Sequence, residues 1–209
     1  MNFIFIILTF LISAVIVRIL IPRILLISLR KKLFDIPDDR KIHTRAIPRM
    51  GGVSFFPTTL FAFCLVYAFR LLVCDSISAL YASYLLPELL LFACGMTLLY
   101  LTGIADDLVG VRYRQKFAIQ IFCACLFPLS GLWINDLYGL FGIHELSAYV
   151  GIPFTVLTVV FITNAINLID GIDGLASGLS SVALLVFTFL FISKGLWSYA
   201  MLSAGTFGV

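Results

Sequence analysis

Ile152-Pro-Phe-Thr155-Val-Leu-Thr158-Val-Val-Phe-Ile162 is apolar apart from two threonines, and it runs into Thr163-Asn164-Ala-Ile-Asn167-Leu-Ile-Asp170-Gly171-Ile-Asp173-Gly174-Leu175. A stretch fit to cross a membrane therefore ends on two carboxamides and two carboxylates. Removing such groups from water is costly unless they are paired, bind a metal or face a wet cavity, so an ionisable cluster at this place is a candidate site. Asp, Asn and Gly also favour loops, and a wet connection between two helices satisfies the same pattern. The segment alone leaves both readings open.

The surrounding composition decides the solvent. Of 209 residues, 62% are hydrophobic and 12% charged, more apolar surface than a soluble core of this length can enclose. A helical span needs about 20 apolar residues and a barrel strand about 10 alternating ones. The runs here are long and do not alternate, which predicts an all-α, polytopic transmembrane helical bundle. Residues 3–21, 53–73, 85–105, 117–133, 151–166 and 175–192 read as six full spans, with 196–209 a truncated seventh. The whole of 1–209 is read as a single integral membrane domain, the N-terminal part of a longer one. No basic residue precedes the first apolar run and no small-residue cleavage site follows it, so it is expected to persist as a span. The five cysteines, Cys64, Cys74, Cys94, Cys123 and Cys125, lie in or beside apolar runs without metal-site spacing, and read as small core residues.

Ten of the fourteen Lys and Arg residues fall in two connections: Arg30, Lys31, Lys32, Arg40, Lys41, Arg45 and Arg49 in the first, Arg112, Arg114 and Lys116 in the third. The positive-inside rule places both in the cytoplasm, the N-terminus outside, and the Asn/Asp cluster on the same inner face as the basic loops. Pro22 is expected to mark a kink or the exit of the first span.

The first loop could serve only to set topology and grip anionic lipid. Its order suggests more. Pro37 and Pro48 stiffen a segment that carries His43, Arg45 and Arg49 and ends on Gly51-Gly52, and rigid basic side chains suit phosphate. Adjacent carboxylates Asp106 and Asp107 end the third span, and they stay ionised only beside a cation or water. A divalent metal, or Arg112, Arg114 and Lys116, can supply that cation. Three polar motifs thus meet on one membrane face, as phosphoryl transfer requires: metal, neutralised pyrophosphate and a positioned attacking oxygen. Hard oxygen donors favour Mg²⁺ or Mn²⁺. No Ser-His-Asp set or Gly-rich nucleotide loop is present, and no nucleic-acid partner is expected.

These residues resemble the polyprenyl-phosphate N-acetylhexosamine-1-phosphate transferases, the undecaprenyl-phosphate N-acetylglucosaminyl branch in particular, which are related to phospho-N-acetylmuramoyl-pentapeptide transferase. The likeness lies in Pro48-Arg49-Met-Gly51-Gly52, in Asp106-Asp107, and in Asn164-x-x-Asn167-x-x-Asp170-Gly-x-Asp173-Gly174. It implies Mg²⁺-dependent transfer of N-acetylhexosamine 1-phosphate from a UDP-sugar to a polyprenyl phosphate, undecaprenyl phosphate above all. UMP is released at the cytoplasmic face of the plasma (inner) membrane, and cell-wall or surface polysaccharide synthesis begins. By the same resemblance Asp106 or Asp107 activates the lipid phosphate and Asn167 ligates or orients the metal. Asn164, Asp170 and Asp173 contact the nucleotide sugar, and Lys116 with His43, Arg45 and Arg49 holds phosphates. The family has a further metal-binding aspartate and a histidine-containing loop later in the chain, which residues 1–209 do not reach. A fragment is therefore expected, inactive alone, and a homodimer is one assembly to consider.

Two other classes compete. Asp170-Gly-Ile-Asp173-Gly174-Leu-Ala176 half matches the CDP-alcohol phosphotransferase motif, but Ser177 stands where its arginine belongs. A proton- or cation-coupled transporter would carry its carboxylates near the bilayer midplane, whereas these cluster at span ends.

Overall fold

The computed structural model describes residues 2–31, 33–35, 47–48, 50–73, 76–172 and 174–209. Among these residues seven α-helices follow in chain order: α1 Asn2–Arg30, α2 Phe55–Val73, α3 Ser76–Val109, α4 Tyr113–Leu129, α5 Ala148–Ile169, α6 Leu175–Ser193 and α7 Trp197–Phe207. The one sheet among the described residues pairs β1 (Phe34–Asp35) antiparallel with β2 (Ile47–Pro48), bringing together the two ends of the first basic loop. The architecture is the expected multi-pass helical membrane protein. Pro22 does not end the first span, because α1 continues past it to Arg30.

Five described helices are long and apolar enough to cross a membrane: Asn2–Arg30, Gly51–Val73, Leu85–Val109, Ala148–Ile169 and Leu175–Ser193. The stretch 117–133 behaves differently. Its helix, α4, has 17 residues, roughly 26 Å at ~1.5 Å per residue against a hydrocarbon core of about 30 Å. It begins earlier than the apolar run, at Tyr113, and its first turn carries Arg114 and Lys116. It closes at Leu129, where Gly131 takes a left-handed φ of 90° and the Leu132 N–H returns to Phe127 O at 3.0 Å. The last stretch is an 11-residue helix, α7, that is buried in the protein.

The chain forms two compact units, Met1–Ala79 with Ile169–Val209, and Leu80–Leu168. In the first, α7 packs on α1, α2 and α6. Its buried face is Ser198, Ala200, Met201, Ser203, Ala204 and Gly205, and α1 answers with Phe5, Thr9, Ser13 and Val17 at four-residue spacing. Lipid gives helices no hydrophobic reason to associate, so close packing of small residues holds them together. A Cβ on Gly205 would come within 2.8 Å of Thr9 Cγ2. Polar links add to this: Ser203 Oγ donates to Leu184 O at 2.8 Å, and the buried Arg70 reaches Asn2 Oδ1 with Nε at 3.5 Å.

In the second unit, α4 packs between α3 and α5. Phe127 meets Phe92 edge-to-face at 6.2 Å, and Cys123 Sγ donates to Gly95 O at 3.4 Å. At the far end of α4 the chain turns back along α5. The Ile134 N–H donates to Thr155 Oγ1 at 2.9 Å, and Gly151 leaves no room for a Cβ beside Ile134 O and the Trp133 ring. Whether α4 crosses the bilayer is measurable. Single cysteines introduced as Arg112→Cys and Glu145→Cys are expected to label from opposite sides of sealed vesicles, and labelling from one side would make α4 re-entrant.

Candidate functional site

Within the second unit, the site is built where α3 and α5 end and α4 begins. Gly110, at a left-handed φ of 73°, closes α3 with its N–H on Asp106 O at 3.0 Å. The Asp106 carboxylate then serves twice. Oδ1 accepts the Val111 N–H at 3.0 Å, and Oδ2 accepts Lys116 Nζ at 2.7 Å. Both side chains of this pair are about one-third exposed, 31% for Lys116 and 32% for Asp106. Of the cations the sequence offers for the Asp pair, Lys116 is the one bonded to Asp106. Arg114 instead lies 5.7 Å from the Tyr113 ring centroid. Asp107 is exposed at the same helix end.

One turn further along α4 stands Gln120, which sequence reasoning missed. It is buried, and its Oε1 accepts Asn164 Nδ2 at 2.8 Å. Asn164 Nδ2 also donates to Val160 O at 2.8 Å. Both acceptors demand the amide nitrogen, so the carboxamide cannot flip without setting oxygen against a carbonyl. Asn167 follows three residues on, on the same side of α5 by helical spacing, and is exposed. Lys116 and Gln120 are one turn apart, about 6 Å of rise, so α4 sets the spacing at which the Asp pair and the Asn motif are held. The signal was present in the sequence: Gln120 is the one carboxamide inside the apolar run 117–133.

Asp170 lies in the turn after α5, exposed, and belongs to the first unit. His43, Arg45, Arg49 and Asp173 lie outside the described residues. No group of three or more His, Cys, Asp or Glu residues able to hold a metal occurs among the described residues. Each Asp106 oxygen already accepts one donor, from Val111 N–H and from Lys116. Asp107 and Asn167 offer the hard oxygen donors that suit a magnesium-like ion.

Beside Gln120, α3, α4 and α5 line a narrow pocket of about 20 Å³, walled mainly by Leu91, Phe92, Leu99, Leu126 and Phe127 with Glu88, Gln120 and Thr163 among its polar members. Gln120 thus has an apolar wall on one side and Asn164 on the other.

Residues 89–209, more than half of the chain, match the model of glycosyl transferase family 4, and the chain belongs to that family. It is 31% identical to a probable undecaprenyl-phosphate N-acetylglucosaminyl 1-phosphate transferase of Bacillus subtilis, over 91% of this chain and 49% of the relative. It is 29% identical to the phospho-N-acetylmuramoyl-pentapeptide-transferase of Staphylococcus carnosus, over 93% of this chain and 61% of the relative. An undecaprenyl-phosphate alpha-N-acetylglucosaminyl 1-phosphate transferase of Escherichia coli is 29% identical over 82% of this chain and 44% of its own length. The chain spans about half the length of the curated relatives it matches.

The contact between Gln120 and Asn164 is testable by itself. A double-mutant cycle of Gln120→Leu and Asn164→Leu, read from unfolding in detergent, is expected to give a coupling of about 0.6–2 kcal/mol. A coupling of zero would remove this bond from the account.

Proposed function

We propose that the protein transfers N-acetylhexosamine 1-phosphate from a UDP-N-acetylhexosamine to a polyprenyl phosphate, undecaprenyl phosphate by analogy with its relatives' names. A phosphate oxygen of the lipid attacks the sugar-linked phosphorus, the bond from that phosphorus to the bridging pyrophosphate oxygen breaks, and UMP leaves carrying that oxygen. One observation carries the reading: α4 bonds the Asp106 carboxylate through Lys116 and the Asn164 carboxamide through Gln120, at the mouth of a membrane-embedded unit.

Each group has a task in that reaction. Lys116, paired with Asp106, keeps a positive charge beside the incoming phosphates. A phosphate monoester has a second pKa of about 6, so a minority of the acceptor is still singly protonated at neutral pH. Asp107, exposed and next to the paired Asp106, accepts that proton and leaves a better nucleophile. Asn164, oriented by Gln120, and Asn167 with Asp170 and Asp173 receive the nucleotide sugar. Mg²⁺ or Mn²⁺, which Asn167 would help hold, would neutralise charge on the pyrophosphate. His43, Arg45 and Arg49 complete the phosphate contacts. The positive-inside distribution supports a cytoplasmic site on the plasma (inner) membrane. The CDP-alcohol reading has no use for Asp106 and Asp107, and Ser177 instead donates locally to Gly174 O at 3.2 Å.

Two substitutions, made in the full-length protein, test this in membranes of cells expressing it. Asp107→Asn is expected to lower UMP release by about 10²-fold or more while the melting temperature holds or rises, because a like-charged neighbour has been removed. Unchanged UMP release would take Asp107 out of the mechanism. Asn167→Ala is expected to weaken UDP-GlcNAc binding and its Mg²⁺ dependence together. A residue of a mere loop would change affinity by no more than about 0.5 kcal/mol.

A further inference from the structure

The connection between α4 and α5 is a short, tightly closed hairpin at the end of the second unit opposite the Asp106 site. Asp136 and Glu145 form an antiparallel bridge at its base, and the Leu146 N–H donates to Asn135 O at 2.8 Å. Its tip displays apolar side chains to the surroundings. Tyr138 is 88% exposed, Phe141 89% and Leu140 57%. This display is held against backbone preference, since Tyr138 and Phe141 take left-handed φ values of 53° and 55°, a region that non-glycine residues avoid.

We propose that this tip is a membrane-interface anchor: Tyr138, Leu140 and Phe141 sit in the polar–apolar boundary of the bilayer on the face opposite the Asp106 site. Three observations select lipid over a protein partner. The first is the root of the hairpin. Ile134 is bonded to Thr155, about two turns or roughly 10 Å inside α5, so the hairpin emerges at the level where that span meets the headgroups. Tyr149, in the first turn of α5 at the same level, is 94% exposed, as an aromatic belt residue would be.

The second is the backbone. From Leu137 to Ile143, six of seven N–H groups are satisfied within the hairpin. Leu137 donates to His144 O, Tyr138 to Asp136 Oδ1, Gly139 to Ile143 O, Leu140 to Leu137 O, Gly142 to Gly139 O and Ile143 to Leu140 O. Lipid tolerates only backbone whose polar groups are internally bonded, and a loop built to add a strand to a protein partner would keep its amides open. The third is charge. The acidic and imidazole side chains, Asp136, His144 and Glu145, stand at the base, and residues 137–143 carry no acidic, basic or histidine side chain. An apolar tip on a polar base matches the gradient of the interface.

Phe141→Trp, an aromatic for an aromatic, places a reporter at the tip of the otherwise native protein in phosphatidylcholine nanodiscs. Its added emission, over that of Trp133 and Trp197, is expected to be quenched about twofold more by lipid brominated near the headgroup than by aqueous iodide. Tyr149→Trp serves as the interfacial standard. Quenching by iodide alone would place the tip in water, and quenching by neither would place it under protein; each overturns the proposal. Should Phe141→Trp fail to fold, Leu140→Trp carries the same readout.

Discussion

Lys116 and Asp106 hold opposite charges 2.7 Å apart where a membrane helix ends, and the candidate site depends on that pairing. A carboxylate at this depth must find a partner, and the partner must come from another element. At one-third exposure the pair contributes only about 1 kcal/mol or less to stability. Its consequence is geometric. It fixes the start of α4 against the end of α3, and the same helix, one turn on, presents Gln120 to Asn164. Two motifs separated by more than fifty residues in the chain are thereby held on one short helix.

The pairing also separates the two aspartates. Asp106 spends both oxygens on the turn and on Lys116, whereas Asp107 is exposed beside it. Identical neighbouring residues thus acquire different surroundings, Asp106 organising the turn and the cation and Asp107 being the more exposed of the two.

The first unit solves a different problem. With no solvent-driven force between helices in lipid, α1 and α7 approach through Thr9, Ser13, Ala204 and Gly205, and hydroxyls such as Ser203 donate to backbone oxygens across or along helices. The two ends of the first basic loop meet in the β1–β2 pair.

Composition and run length alone determined that this is a helical, multi-pass membrane protein, because no soluble core could hide so much apolar surface and no alternation suits a barrel. The order of the polar motifs likewise placed Asp106, Asp107, Lys116, Asn164, Asn167 and Asp170 at span ends, since charge is tolerated there and not in the hydrocarbon. Span count was less legible. Hydropathy runs do not register where hydrogen bonds start and stop a helix, so 117–133 became a helix from Tyr113 to Leu129, and 196–209 became a buried 11-residue helix. Only the tertiary structure could decide which cation serves Asp106, because Arg112, Arg114 and Lys116 are equivalent in composition and differ only in the direction α4 points them. Gln120 was equally invisible as a partner: a carboxamide's function depends on what faces it, and Asn164 faces it from another helix forty-four positions away.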